Sequence, residues 1–324
     1  VRAAVCTGYG APEVVRVEER DSPALLPGQI RVRVGAAAVN FPDVLIVANE
    51  YQVKVPTPFV PGSEFAGTVT AIADDVDAIA VGDRVAGTGI VGAFAEEATA
   101  AANAVWRIPA GVDERHAAAF GVAHRTAFHT LRSVARLQPG EELIVLGAGG
   151  GVGLAAVQLG VVLGATVTAV ASSQEKLDAA VSYGARNLVN HRAGDLRGAL
   201  RECLTEGGDV VIDPVGGDLS EPALRALRPG GRFVTCGYAS GTIPRIPLNL
   251  VLLKGVTILG FEFLDFITRF PDELRRNEAE LLELLAAGRV VPHVGASFPL
   301  DDVAAALRHV ADGKAVGKVV IDIG

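Results

Sequence analysis

The chain has 324 residues, half of them hydrophobic, with 29 Lys and Arg against 37 Asp and Glu for a net charge of -8. That length holds about two domains with a sizeable core, while the dispersed cations offer no basic stripe for a nucleic-acid backbone or an acidic membrane. No run of about 20 apolar residues spans a bilayer, and Cys6, Cys203 and Cys236, odd in number and far apart, argue against a disulfide framework or a cysteine-rich zinc site.

The opening Val1-Arg2-Ala3-Ala4-Val5 alternates as a first strand does and lacks the charged-then-apolar layout of a signal peptide, so a cytoplasmic location is expected. To about residue 120 short β-like runs (29–36, 67–72, 94–99) are separated by turns such as Leu26-Pro27-Gly28, Val60-Pro61-Gly62 and Val81-Gly82-Asp83, an all-β style. From about residue 126 to 261, strands expected at 143–146, 166–170, 187–189, 209–212, 232–236 and 256–259 alternate with helical stretches. That alternation implies a mostly parallel sheet with helices on both faces. The tail offers an amphipathic helix (271–287), a strand (290–293), a helix (301–311) and a last strand (318–323). It is too small to stand alone, so it is expected to pack back on the first segment. The α/β chain therefore divides into residues 1–122 and 262–324, a discontinuous β-rich domain, and an inserted nucleotide domain, residues 123–261.

The most informative motif is the apolar run Leu143-Ile144-Val145-Leu146 followed at once by Gly147-Ala148-Gly149-Gly150-Gly151-Val152-Gly153. Small residues let the chain reverse tightly and bring backbone amides against a phosphate, and a helix opening at Val152 aims its positive dipole end at the same place. An apolar helix over 152–163, closed by Gly164, completes the βαβ context that a dinucleotide pyrophosphate site requires. The second strand ends in Val170-Ala171-Ser172-Ser173 with Lys176 a turn later, where an NAD enzyme usually carries an Asp or Glu for the ribose. Hydroxyls and an ammonium suit a 2′-phosphate, which favours NADPH. Ser172 and Glu175 are also spaced as a capping box that would start the next helix whatever the cofactor. Past the strand over 232–236, Gly237 and Tyr238 stand where an open sheet presents backbone to the nicotinamide amide, although Tyr238 also suits plain packing.

Several segments together resemble the medium-chain dehydrogenase/reductase superfamily and, within it, the zinc-free NADPH:quinone oxidoreductases (zeta-crystallin-like). They are Val39-Asn40-Phe41-Pro42-Asp43, Val60-Pro61-Gly62-Ser63-Glu64-Phe65-Ala66-Gly67, the glycine turn, Asp213-Pro214-Val215-Gly216-Gly217 and the closing Gly317-Lys318-Val319-Val320. The resemblance covers essentially the whole chain and implies a Rossmann domain inserted in a GroES-like β-rich domain. It also implies that zinc ligands of the metal-dependent relatives are replaced here by Asn40, Ser63 and Val122, leaving Glu64 as the one survivor. A lone carboxylate does not hold a catalytic zinc, and His124 and His129 fall on different helix faces.

Without a metal, the implied chemistry is hydride transfer to an acceptor that is already electrophilic, a quinone or a double bond conjugated to a carbonyl. By resemblance Asn40, Tyr51 and Thr126 line the nicotinamide and the acceptor cleft. Their residue types leave plainer roles open: Asn40 as a turn former before Pro42, Tyr51 as a half-buried packing residue, Thr126 at a helix N-terminus. His191 and Arg192 fall where relatives carry an aromatic residue near the 2′-phosphate. Two alternatives stand beside the quinone or enone reductase. One is an enoyl-thioester reductase, for which Arg245, Lys254, Arg269, Arg275 and Arg276 supply either a landing patch or merely a solvated face. The other is a non-catalytic NADPH-binding protein. Apolar, β-branched Val256-Thr257-Ile258-Leu259-Gly260-Phe261 reads as an edge strand that invites pairing, and the family suggests a homodimer through it with Phe261 to Phe263 at the interface.

Overall fold

Period-two alternation in the first part of the chain is expressed, in the computed structural model of residues 1–324, as β1 (Arg2–Cys6), β2 (Val15–Glu19), β3 (Gln29–Val39), β4 (Glu64–Ile72), β5 (Arg84–Thr88), β6 (Glu97–Ala101) and β7 (Val105–Arg107). The strand–helix alternation that follows gives β8 (Glu142–Leu146), β9 (Thr166–Ala171), β10 (Asn187–Asn190), β11 (Gly208–Asp213), β12 (Leu227–Thr235) and β13 (Thr257–Gly260). Finally β14 (Val294–Pro299) and β15 (Lys318–Asp322) return to the first sheet, whose order is β14-β15-β3-β4-β5-β7 with β6 also paired to β3.

The chain forms two compact units, Val1–Val122 with Val291–Gly324, and Ala123–Val290. In the first, β3 is the spine: Ile30, Val32 and Val34 point to one side and are essentially inaccessible, each burial contributing about 1.5–3 kcal/mol. Its far end is flanked by β15 and β4, which pair Val39 with Val319 and Ala38 with Glu64. In the second unit the six strands are parallel in the order β10-β9-β8-β11-β12-β13. Strand order reverses between β8 and β11, so a crevice opens at their carboxyl ends, where such sheets bind ligands. Leu143 to Leu146 are fully buried, as an unbroken apolar run between two helical layers has to be. No helix is long and apolar enough to cross a membrane.

Two expectations about the tail are corrected. Residues 262–290 belong to the nucleotide unit and not to the β-rich one, because the Pro271–Ala286 helix is tied to the Gly121–His129 helix. Arg125 Nε reaches Glu278 Oε1 at 2.7 Å, Asn277 Nδ2 meets His129 Nδ1 at 3.2 Å, and Phe261, Phe263 and Phe266 crowd the His129 ring. The strand expected over 290–293 is irregular, and pairing with β15 begins only at Val294. Pro292 lacks the N–H that a ladder needs.

Candidate functional site

The glycine turn joins β8 to the helix Gly151–Val162, which starts from an extended Gly150. Ala148 N–H donates to Val170 O and Gly150 N–H to Gly147 O, both at 2.9 Å, fixing the reversal against β9. Two of its glycines are sterically required. A Cβ on Gly153 would lie 2.0 Å from the Gly147 carbonyl oxygen, and one on Gly149 would lie 2.4 Å from Lys176 Cβ. Residues 149–153, all glycine except Val152, thus form a surface nearly bare of side chains at the positive end of a 12-residue helix, a cradle suited to a pyrophosphate.

Parallel pairing then gathers cations beside this cradle. Asn190 is registered with Ala171, and His191 N–H donates to Ala171 O at 3.1 Å, so His191 and Arg192 emerge next to Ser172 and Ser173. Lys176 comes in from the following helix with its stem over Gly149. Burial and then the Arg192 charge push the Lys176 ammonium below its ordinary value, with Glu175 opposing; burial, Arg192 and Lys176 do the same to His191. Lys176 and Arg192 repel at the strand end, where His191 is kept from charging beside them, and a phosphate would relieve that repulsion. The helix cap is Ser173, whose Oγ accepts the Lys176 N–H at 3.4 Å, and not Ser172 as the spacing suggests. The Ser172 hydroxyl therefore lies outside the cap.

In the β-rich unit Asn40, Ser63, Glu64 and the Val122 backbone come together. Asn40 Nδ2 donates to Ser63 Oγ at 3.1 Å and to Glu64 Oε1 at 2.9 Å, while Glu64 Oε2 accepts the Val122 N–H at 2.8 Å. Lys318 enters this set from β15, its ammonium bonded to Asn40 Oδ1 and Glu64 Oε1. Asp43 accepts the Asn40 backbone N–H at 2.7 Å, and burial pushes its carboxyl up to about 7, against the pull of that bond, the Ser63 hydroxyl and the Lys318 charge. An amide, a hydroxyl and one carboxylate already enclosing an ammonium are not a zinc donor set; no three His, Cys, Asp or Glu gather as metal ligands elsewhere. In the sequence Lys318 stands out only as part of a family marker. The physical signal is a cation beginning an apolar strand, which has to find partners when buried.

Asn40 begins the helix Phe41–Val47, so it is a helix-start residue as well as a member of this set. Both protons of its amide are engaged, which leaves only its carbonyl oxygen to meet a ligand. Tyr51 is half-buried against the β-rich core. Thr126 lies inside the helix Gly121–His129, not at its start, and its carbonyl accepts the Thr130 hydroxyl at 2.6 Å. Gly237 and Tyr238 follow the carboxyl end of β12, with Tyr238 42% exposed. Beside them Asp213 is structural: its carboxylate accepts the Val215 and Gly216 N–H groups and the Ser220 hydroxyl, pinning the glycine turn after β11. Of the suggested cationic landing patch, Arg269, Arg275 and Arg276 pair with Asp265, Asp272 and Glu273 one turn away, the pattern of a solvated face.

Residues 26–110 match the alcohol dehydrogenase GroES-like domain family and residues 151–285 the zinc-binding dehydrogenase family. Quinone oxidoreductase-like protein 2 of Bos taurus is 38% identical, over 99% of this chain and 92% of its own. The crystal structure of Escherichia coli quinone oxidoreductase complexed with NADPH superposes with a TM-score of 0.91 at 27% identity, covering 99% of this chain and 100% of that one. Part of a phenolphthiocerol/phthiocerol polyketide synthase of Mycobacterium tuberculosis is 35% identical, over 91% of this chain and 14% of that protein.

Proposed function

This chain belongs to the medium-chain dehydrogenase/reductase superfamily, in its quinone oxidoreductase-like branch, and we propose that it transfers hydride from NADPH to a quinone or an α,β-unsaturated carbonyl without zinc. The observation that carries this reading is the phosphate cradle at residues 149–153 with Lys176, His191 and Arg192 at its side. The similar Escherichia coli enzyme was crystallised with NADPH. Ser172, Ser173, Lys176 and His191 hold the 2′-phosphate, and Ala148 to Gly153 the pyrophosphate. Gly237 and Tyr238 orient the nicotinamide amide.

When bound, the reduced nicotinamide supplies the hydride. With an ammonium in the Asn40–Glu64 set, no Lewis acid polarises the acceptor there, so the acceptor has to be electrophilic already. Asn40, Tyr51 and Thr126 orient cofactor and acceptor, and the proton comes from water or a hydroxyl rather than from a strong general acid. The match to a polyketide synthase segment favours an enoyl-thioester reductase as the second reading. We also assign the protein to a cytoplasmic homodimer paired through β13, where Ile258 is 36% exposed. Phe261 is already buried against His129 and Phe266 in its own unit, so the interface would rest on β13 itself. The test is NADPH oxidation across naphthoquinones, phenanthrenequinone, enones and enoyl thioesters. Turnover with quinones or enones bears the proposal out; turnover with thioesters alone moves the protein to the second reading; binding of NADPH with no turnover at all would make it a non-catalytic binder.

A further inference from the structure

Lys318 is 4% exposed and Glu64 1% exposed, yet neither lacks a partner. Sheet register explains how they meet. Because Val319 stands opposite Val39 and Glu64 opposite Ala38, the residues that continue and flank these pairs, Lys318 and Glu64, close on Asn40 from the two strands beside β3. The three N–H bonds of the ammonium meet three acceptors: the Val39 carbonyl at 3.4 Å, Asn40 Oδ1 and Glu64 Oε1. The Asn40 amide in turn gives one proton to Ser63 Oγ and one to Glu64 Oε1. Turning that amide over would set its NH2 against the ammonium and its carbonyl oxygen against the Glu64 carboxylate. Both contacts would be repulsive, so one orientation is enforced.

We infer that Lys318 is a positioning residue, a built-in cation that locks Asn40 so that a ligand meets only the second lone pair of its carbonyl oxygen. Asn40, 8% exposed, is then an acceptor-only group, and what it recognises is a hydroxyl donor, such as a ribose hydroxyl of the cofactor or the O–H of a hydroquinone product. It does not stabilise an oxyanion by donation. This rests on the proposed role of Asn40 in orienting cofactor and acceptor.

The experiment combines kinetics with a measurement on the cofactor-free protein. Lys318→Ala should lower kcat for naphthoquinone reduction by about tenfold or more, with calorimetric NADPH affinity at the Lys176 site changed much less. Added n-propylammonium, which refills the vacated space with an ammonium, should restore part of kcat, whereas tetramethylammonium at equal ionic strength should not. If Lys318→Ala folds poorly, Lys318→Met/Glu64→Gln removes both buried charges, and it should be stable but remain slow. In the cofactor-free protein the Asn40 side-chain amide signals, identified by their loss in Asn40→Ala, should be protected from hydrogen exchange in the wild type and unprotected in the double variant. A folded double variant with wild-type kcat, or with the amide still protected, would overturn the inference. A wild type that binds NADPH but reduces no acceptor would overturn the underlying functional reading as well, so the two failures are distinguishable.

Discussion

Gly149 and Lys176 act as a pair: the absence of a Cβ on the one is what lets the aliphatic stem of the other lie across the turn and carry its ammonium to the strand end. A charge-assisted contact to a phosphate is worth about 1.5–3 kcal/mol, so Lys176→Ala should weaken NADPH binding about tenfold or more and leave NADH binding nearly unchanged. Calorimetry with both cofactors checks this, and equal losses for the two would remove Lys176 from the 2′-phosphate site. Tyr51→Phe should slow turnover without abolishing it, since no acid catalyst is assigned to its hydroxyl; complete loss in a folded, NADPH-binding variant would assign acid catalysis to Tyr51. At this scale the sequence is legible where chemistry is local, as in the glycine turn that follows β8 and opens a helix, whereas at the end of β9 it places the helix cap one residue early, at Ser172 instead of Ser173. Lys318 is not legible in this way, because its partners Glu64 and Asn40 lie 254 and 278 residues away and only sheet register joins them.

Among the elements, the Pro271–Ala286 helix shows how a handful of polar contacts decide which unit a segment joins. Burial raises the Glu278 carboxyl, but the His129 ring 3.9 Å away and the charge and hydrogen bond of Arg125 outweigh it and hold the group below its ordinary value. A depressed carboxyl contributes stability that is fully present above its unfolded pKa of about 4.3 and is lost as pH falls through the lower folded value. Glu278→Gln should therefore cost about 1–2 kcal/mol at pH 7, a loss that shrinks toward zero in acid. Denaturant melts at several pH values measure it, and a pH-independent difference would refute the assignment. The amphipathic pattern of this helix is plain in the sequence; its docking is not, because an apolar stripe says that a helix is covered and not by what. The strand expected over 290–293 fails for a local reason that is legible, Pro292.

For the whole molecule, a parallel sheet that ends in an exposed β13 invites covering of its edge, and the proposed two-fold copy would do this by joining edge to edge. Light scattering should find a dimer, and Ile258→Lys should shift it toward monomer; a monomeric wild type would contradict the edge pairing. The alternation of strands and helices makes the two-unit architecture legible, whereas which unit claims residues 262–290 depends on contacts distant in sequence. The central claim, hydride transfer from NADPH without a metal, is tested most directly by the rate of NADPH oxidation with a naphthoquinone after exhaustive dialysis against a chelator. The account predicts an unchanged rate and a preference for NADPH over NADH; a rate abolished by dialysis and restored by zinc would contradict it.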